Sequence, residues 1–186
     1  MDFGLLYIIF ILIIFCFLYY NSITYPVIYQ KSSIDNNTYL VRNEPDKQIA
    51  ANTIAKIRQM TLDLISLLHK KYPNNSEVNR LKLKFNPNNI YETNYKKDYT
   101  SYSVNKGEKI YICLRNQNNI VDINTLFFVM MHELAHVMTN NWGHNKIFWT
   151  NFKFLIDNAV EFKLYKYVNY NTNPVKYCGI KIDSNP

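Results

Sequence analysis

The sequence predicts an α+β chain, in which an apolar N-terminal helix precedes a compact domain with a small antiparallel sheet and an active-site helix. The first observation behind this class is an uncharged apolar run at residues 3–20. The second is a pair of β-like segments around a glycine-containing turn, and the third is an HExxH motif within an apolar helical pattern. The chain has 186 residues, and the part beyond the apolar run is the size of one ordinary domain.

The apolar run reads FGLLYIIFILIIFCFLYY. At about 1.5 Å per residue it reaches roughly 27 Å, close to the hydrocarbon thickness of a bilayer. We therefore expect residues 1–20 to form a transmembrane anchor. A cleaved signal peptide is the alternative, but it normally has a basic start and a small-residue cleavage site, whereas this chain begins Met1-Asp2. Basic residues follow the run, and the positive-inside rule then predicts a single-pass membrane protein with its domain in the cytosol.

Residues 21–45 contain two prolines, Pro26 and Pro45, and no sustained apolar period. This pattern predicts a juxtamembrane linker. We expect the folded domain to occupy residues 46–186 and to begin with a helix that ends at Tyr72-Pro73, because apolar residues recur there every three or four positions.

The next elements are predicted from changes in the spacing of apolar residues along the chain. Leu81, Leu83 and Phe85 alternate with lysines, which predicts a half-buried strand. Residues 100–104 and 109–114 flank a turn that contains Gly107 and predict an antiparallel hairpin. Two helices complete the domain, over residues 123–139 with Asp122 as the N-cap and over residues 146–167.

Charge and cysteine content restrict the function classes. The formal net charge is +7, which is explained by a solvated basic surface or by contact with anionic lipid headgroups or a substrate bound to nucleic acid. No Lys/Arg run with interleaved aromatic residues is present, so direct nucleic-acid binding is not expected. Cys16 lies in the apolar run, so a disulfide in the domain would have to join Cys113 and Cys178. We expect reduced cysteines in a reducing compartment, and the lack of a CxxC pair excludes a thiolate zinc finger.

The HExxH motif is formed by His132, Glu133 and His136. On a helix the two histidines project from one face a turn apart, so each can give one nitrogen to the same ion. A catalytic zinc takes three protein ligands and keeps one open position for water. His144 is the leading candidate for the third ligand, because Gly143 lets the chain reverse after the helix. Glu161 is the second candidate and Asp157 the third.

These positions predict hydrolysis of a peptide bond. Zn²⁺ would activate a water and polarise the scissile carbonyl, while Glu133 would act as general base. The hairpin before the helix offers a strand edge on which an extended substrate could pair, or it is ordinary sheet core.

The segments TSYSVNKGEKIYICLR, DINTLFFVMMHELAHVM and GHNKIFW resemble the WLM and SprT-like metallopeptidases, which are gluzincin-type zinc proteases. The resemblance extends over about residues 45–186 and is strongest to membrane-anchored WLM-like proteins of large DNA viruses. It implies a zincin-like fold, zinc held by His132, His136 and His144, Glu133 as catalytic residue, and a viral or infected-cell membrane as location. The spacing between His136 and His144 is longer than in the cellular WLM pattern.

Two functions from different classes remain. The first is a zinc endopeptidase that acts on a protein or peptide substrate near the membrane to which its N-terminal helix attaches it. The second is a membrane-tethered interaction protein with a structural or degenerate zinc site. Metal content together with a Glu133→Gln variant separates the two.

Overall fold

The chain begins with helix α1, which spans Phe3–Thr24. The computed structural model describes residues 3–24, 26–94, 100–117 and 119–186. Within these ranges no helix has the length and apolarity needed to cross a membrane. The predicted transmembrane anchor over residues 1–20 is therefore wrong, and so are membrane attachment through it and single-pass localisation.

A β-hairpin lies in the segment predicted as a linker. Strands β1 (Val27–Lys31) and β2 (Thr38–Arg42) pair antiparallel, and the hairpin packs on the next helix. Its apolar alternation is limited to Tyr39 and Val41, both buried, which is too short a pattern to stand out in the sequence. The boundary at residues 45 and 46 stays a prediction.

Helix α2 spans Lys47–Lys71 and agrees with the predicted first helix of the domain. Helix α3 spans Ser76–Lys84 and replaces most of the strand predicted from Leu81, Leu83 and Phe85. Asn75 caps α3 by accepting a hydrogen bond from the Val78 amide at 2.9 Å. Val78 and Leu81 are buried one helical turn apart, while Leu83 is 81% exposed, so the helical period overrides the apparent alternation.

The central sheet contains β3 (Ile90–Glu92), β4 (Tyr102–Val104) and β5 (Lys109–Ile112) in the order β3-β5-β4. The predicted hairpin is confirmed, since β4 and β5 pair antiparallel. The sheet is mixed rather than purely antiparallel, because β3 runs parallel to β5. Gly107 in the hairpin turn has φ +105°, and an added Cβ would lie 2.9 Å from the Val137 side chain, so the turn can pack on the following helix only with glycine there.

The remaining elements are the pair β6 (Arg115–Asn116) and β7 (Asn119–Ile120), helix α4 (Ile123–Met138), helix α5 (Lys146–Glu161), and the pair β8 (Val175–Tyr177) and β9 (Ile180–Ile182). Asp122 caps α4 as predicted by accepting from the Thr125 amide. Helix α5 ends earlier than predicted, because Lys163 takes φ 59° and the chain folds back, with the Leu164 amide bonded to the Ala159 carbonyl. Most of α4 is buried, so the centre of the core surrounds the motif helix.

The β8–β9 pair, called here the C-terminal hairpin, is linked to the rest of the domain by a disulfide between Cys113 and Cys178. The expectation of reduced cysteines is therefore wrong for these two. The Asn116 side chain accepts a hydrogen bond from the Cys178 amide at 2.5 Å, which holds the two sulfurs near each other. This contact joins residues far apart in the chain, and no local pattern in the sequence predicts it.

Candidate active site

The two motif histidines lie one turn apart on α4, and their ring centroids are 5.0 Å apart. His144 lies against both of them, because its Nε2 is 3.1 Å from the Nε2 of His132 and 3.1 Å from the Nε2 of His136. Within the described residues these three side chains form a group that could hold a metal ion, with candidate ligand atoms within 4.8 Å of one another.

The chain reaches His144 through a short segment after α4, residues 139–143, called here the return loop. Gly143 in this loop has φ +78°, a conformation that favours glycine. Asn145 then caps α5 by accepting from the Phe148 amide at 3.0 Å. The Lys106 ammonium donates to the carbonyls of Thr139 (2.9 Å), Asn141 (3.0 Å) and Asn140. The hairpin turn before the motif helix therefore fixes the loop after it.

The alternative third ligands lie elsewhere. The Glu161 carboxylate accepts a hydrogen bond from the Lys71 ammonium at 2.7 Å, and Asp157 pairs with Lys153 at 3.0 Å. Neither belongs to the group around the motif histidines that is found among the described residues. Of the third-ligand candidates raised by the sequence, the structure brings His144 to the pair.

Glu133 is 3% exposed and lies between the histidine cluster and strand β4. Burial raises the pKa of its carboxyl to about 8, although hydrogen bonds from the Ser103 hydroxyl and amide act in the opposite direction. Its Oε2 has no hydrogen-bond partner within the part of the chain that the structure describes. A buried, unpartnered carboxylate oxygen beside three imidazoles is suited to accept a hydrogen bond from a bound water.

The two motif imidazoles are held in the neutral form that binds metal. Burial lowers the pKa of His132 to about 3, with further contributions from His136 and His144. Burial also lowers the pKa of His136 to about 4, followed by the effects of His144 and Lys106. Three imidazole nitrogens within reach of one ion are a donor set that Zn²⁺ prefers, so the residues present fit this ion.

Two residues that sequence reasoning missed complete the site. Phe148 on α5 packs on all three imidazoles, with ring centroids 4.4 to 4.9 Å away, and it shields one side of the cluster. Ser103 on β4 holds Glu133 as described above. The signal for Ser103 was its place on the predicted hairpin, and the signal for Phe148 was its position four residues after His144 at the start of a helix.

A cleft of about 270 Å³ opens over this arrangement. Strand β4, Lys106 and the return loop line the cleft together with the motif side chains. Because β4 is at the edge of the β3-β5-β4 order, an extended chain lying in the cleft could pair with it.

The chain is similar to several known proteins. The model of the WLM domain family matches residues 34–180. Protein R325 of Acanthamoeba polyphaga mimivirus is 35% identical over 161 residues, which cover 83% of this chain and 82% of that protein. Protein 136R of Invertebrate iridescent virus 6 is 26% identical over 148 residues, which cover 73% of this chain and 80% of that protein. The crystal structure of Wss1 from Saccharomyces cerevisiae is similar with a TM-score of 0.49 and 22% identity, covering 66% of this chain and 86% of that one.

Proposed function

Because this chain belongs to the WLM domain family, with relatives in large DNA viruses, we propose that it is a zinc-dependent endopeptidase. In this proposal His132, His136 and His144 hold the metal and Glu133 is the general base. The resemblance to WLM and SprT-like metallopeptidases implies the same roles for these residues.

One observation carries the proposal: the three imidazole nitrogens converge in the cleft that Glu133 also lines, and the Glu133 Oε2 has no hydrogen-bond partner among the described residues. A purely structural zinc site is closed by four protein ligands, whereas a catalytic site has three and keeps one position for water. Here the described residues supply three candidate ligands, and the cleft lies over them. This donor set and its access from solvent support hydrolysis rather than a structural role.

When bound, Zn²⁺ would lower the pKa of a water toward neutrality and polarise the scissile carbonyl. Glu133 then accepts the proton of that water at Oε2 and delivers it to the leaving amine nitrogen. Ser103 orients the carboxylate through its amide and hydroxyl. Phe148 limits water on one side of the imidazoles, which strengthens the electrostatic interactions there.

The substrate class follows from the shape of the cleft. Strand β4 leaves backbone groups at the edge of the sheet, and they lie beside Glu133 and His132. Main-chain hydrogen bonds to such an edge select an extended polypeptide whatever its side chains. A protein segment in extended conformation is therefore the proposed substrate.

The test compares wild type with Glu133→Gln on a denatured protein substrate, with zinc content measured on the same samples. Loss of the base typically costs about 10²- to 10⁴-fold in rate, while the metal ligands are unchanged. We expect Glu133→Gln to keep its zinc and to lose cleavage to this extent. The matched control is Glu161→Gln, which alters an acid paired with Lys71 and should cleave like wild type.

Equal cleavage by Glu133→Gln and wild type would contradict the assigned base. Stoichiometric zinc in a wild-type protein that cleaves no denatured substrate would instead favour the interaction protein with a structural site.

A further inference from the structure

The C-terminal hairpin lies beside the candidate site and is joined to the rest of the domain by the disulfide between Cys113 and Cys178. We propose that this disulfide is a redox switch, and that its reduction by a dithiol releases the hairpin and lowers endopeptidase activity. The switch would regulate the site described above, so it rests on the proposed endopeptidase function.

The hairpin and the reacting groups line the same cavity. This cavity has a volume of about 230 Å³ and is lined by His132 and Glu133 from the motif helix. From the C-terminal hairpin it is lined by Tyr177 and by residues 180–184, which include β9. The hairpin is therefore a wall of the site, and its release would open the site on this side.

Tyr177 connects the hairpin to the strand that holds the general base. Its hydroxyl donates to the Cys113 carbonyl at 2.8 Å and lies 2.7 Å from the Ser101 hydroxyl. The Ser101 hydroxyl also accepts a hydrogen bond from the Cys113 amide at 3.0 Å. Ser101 directly precedes β4, on which Ser103 bonds to Glu133. The position of the hairpin therefore affects the part of the chain that orients the Glu133 carboxylate.

Few other contacts attach the hairpin. Tyr177 is the only buried side chain in residues 171–186. The Asn116 side chain adds two hydrogen bonds, one from the Cys178 amide at 2.5 Å and one to the Lys176 carbonyl at 2.6 Å. A segment with so few buried apolar groups opens at low free-energy cost unless it is cross-linked. The disulfide is therefore the main restraint on the hairpin.

The disulfide can be reached by a reductant from the side of the hairpin. Cys113 is 5% exposed, whereas Cys178 is half-buried in the turn between β8 and β9. The next residue, Gly179, faces open space, because a Cβ built there would meet no atom within 4 Å. Disulfide exchange requires access of a thiolate to one sulfur, so Cys178 is the expected point of attack.

The exchange transfers two electrons and two protons from the dithiol to the protein. One thiolate of the dithiol bonds to Cys178 Sγ, the S–S bond breaks, and Cys113 leaves as a thiolate that takes up a proton. The second sulfur of the dithiol then displaces Cys178, which takes up the other proton, and the dithiol becomes a disulfide. Because disulfides persist in oxidising compartments and are reduced in the cytosol, the state of the hairpin follows the surroundings of the chain.

The experiment measures kcat/KM of the zinc-loaded full chain for a cysteine-free peptide that contains one of its cleavage sites. The chain is assayed oxidised, reduced with dithiothreitol and reoxidised, at a temperature at which all forms are folded. We expect reduction to lower kcat/KM by about 10- to 100-fold, because a small displacement of a group in a site can cost about 10²-fold. Reoxidation should restore it.

Two variants separate the switch from other effects of the reductant. Cys178→Ala should match reduced wild type both with and without dithiothreitol. The matched control, Cys16→Ala, alters a free, exposed cysteine and should respond to dithiothreitol as wild type does. Zinc content is measured on every sample, because thiolates bind zinc.

Hydrogen exchange measures release of the hairpin independently of activity. Reduction should raise the exchange rates of amides in residues 171–186 by about 10-fold or more, whereas the amides of α4, most of which is buried, should keep their protection.

The possible outcomes separate the switch from the proposed function. Equal kcat/KM in oxidised and reduced wild type would overturn the switch and leave the endopeptidase intact. Exchange in residues 171–186 that does not respond to reduction would overturn it as well, and so would an equal loss of activity in Cys178→Ala on addition of dithiothreitol. Absence of cleavage by the oxidised chain would overturn the proposed function and with it the regulation of this site.

Discussion

The disulfide between Cys113 and Cys178 closes a loop with a sequence separation of 65 residues. A cross-link stabilises a domain mainly by restricting the unfolded chain, and the loop-entropy relation gives about 4 kcal/mol for a loop of this length. The bridge is packed into the domain, since Cys113 is 5% exposed and the Cys178 amide is bonded to Asn116. We therefore predict that Cys178→Ala lowers the free energy of unfolding by about 2 to 5 kcal/mol.

The assay is equilibrium unfolding in urea at constant pH, with wild type measured both oxidised and reduced. Reduced wild type should match Cys178→Ala, because both lack the same cross-link. The matched control is Cys16→Ala, since Cys16 is a free, exposed cysteine in α1, and its midpoint should equal that of wild type.

Thiol titration of the unfolded protein without reductant checks the premise. Only the Cys16 thiol should react. If all the cysteines react, or if Cys178→Ala unfolds with the same free energy as Cys16→Ala, the argument that the C-terminal hairpin is covalently held is refuted.

Three further predictions concern the side chains of Lys106, His132 and Arg115. Lys106→Met removes the donor to the return loop and should weaken zinc binding by about 10- to 100-fold, as loss of a supporting contact does. Lys109→Met is the control, and equal zinc affinity in both would contradict the role of Lys106. Burial lowers the pKa of His132 to about 3 in the folded protein, whereas an unfolded chain binds a proton at this imidazole near pH 6.5. As pH falls below about 6.5, the metal-free protein should therefore lose stability, by up to about 1.4 kcal/mol per pH unit. Urea unfolding with a chelator checks this, and stability that is constant from pH 7 to 4.5 would contradict it. Arg115→Met removes the buried partner of the Glu92 carboxylate, which then keeps only Arg42 among the described residues, through its amide at 2.7 Å and its Nε at 3.6 Å. This variant should cost about 3 to 5 kcal/mol in the same urea assay, whereas a loss below 1 kcal/mol would show that the pair contributes little.

The parts of the fold that the sequence predicts correctly are those specified by local signals. Helix α4 has a cap, an apolar period and a chain reversal after it, and its predicted bounds differ by one residue from those observed. The hairpin that contains Gly107 has two alternating segments around an obligatory turn. Each of these elements depends on residues close in the chain.

The parts that the sequence does not predict depend on contacts between distant residues. The lysines around Leu83 imitate a strand, and only burial of the other face of the helix against α2 and α4 shows that α3 is helical. The disulfide requires the tail to pack beside β6, which no spacing of cysteines reveals. The expected membrane span over residues 1–20 is a separate case, since no helix among the described residues is long and apolar enough to cross a membrane.

The candidate site divides in the same way. The motif determines the relative positions of His132, Glu133 and His136, because residues i and i+4 of a helix lie one turn apart on the same face. The third position depended on the path of the return loop, which Gly143 and Lys106 determine together. A sequence shows Gly143 but not the contact that Lys106 makes. The choice between His144 and Glu161 as the third candidate ligand therefore required the structure.

The most direct test of the central claim is zinc binding by titration of the purified chain against a competing chelator. Wild type should bind a single zinc ion per chain, and His144→Ala should weaken binding by more than the roughly 10- to 100-fold expected for loss of a supporting contact. Glu161→Ala should bind zinc like wild type, because its carboxylate is paired with Lys71. Zinc affinity that survives His144→Ala but is lost in Glu161→Ala, or wild type that binds no zinc, would contradict the account.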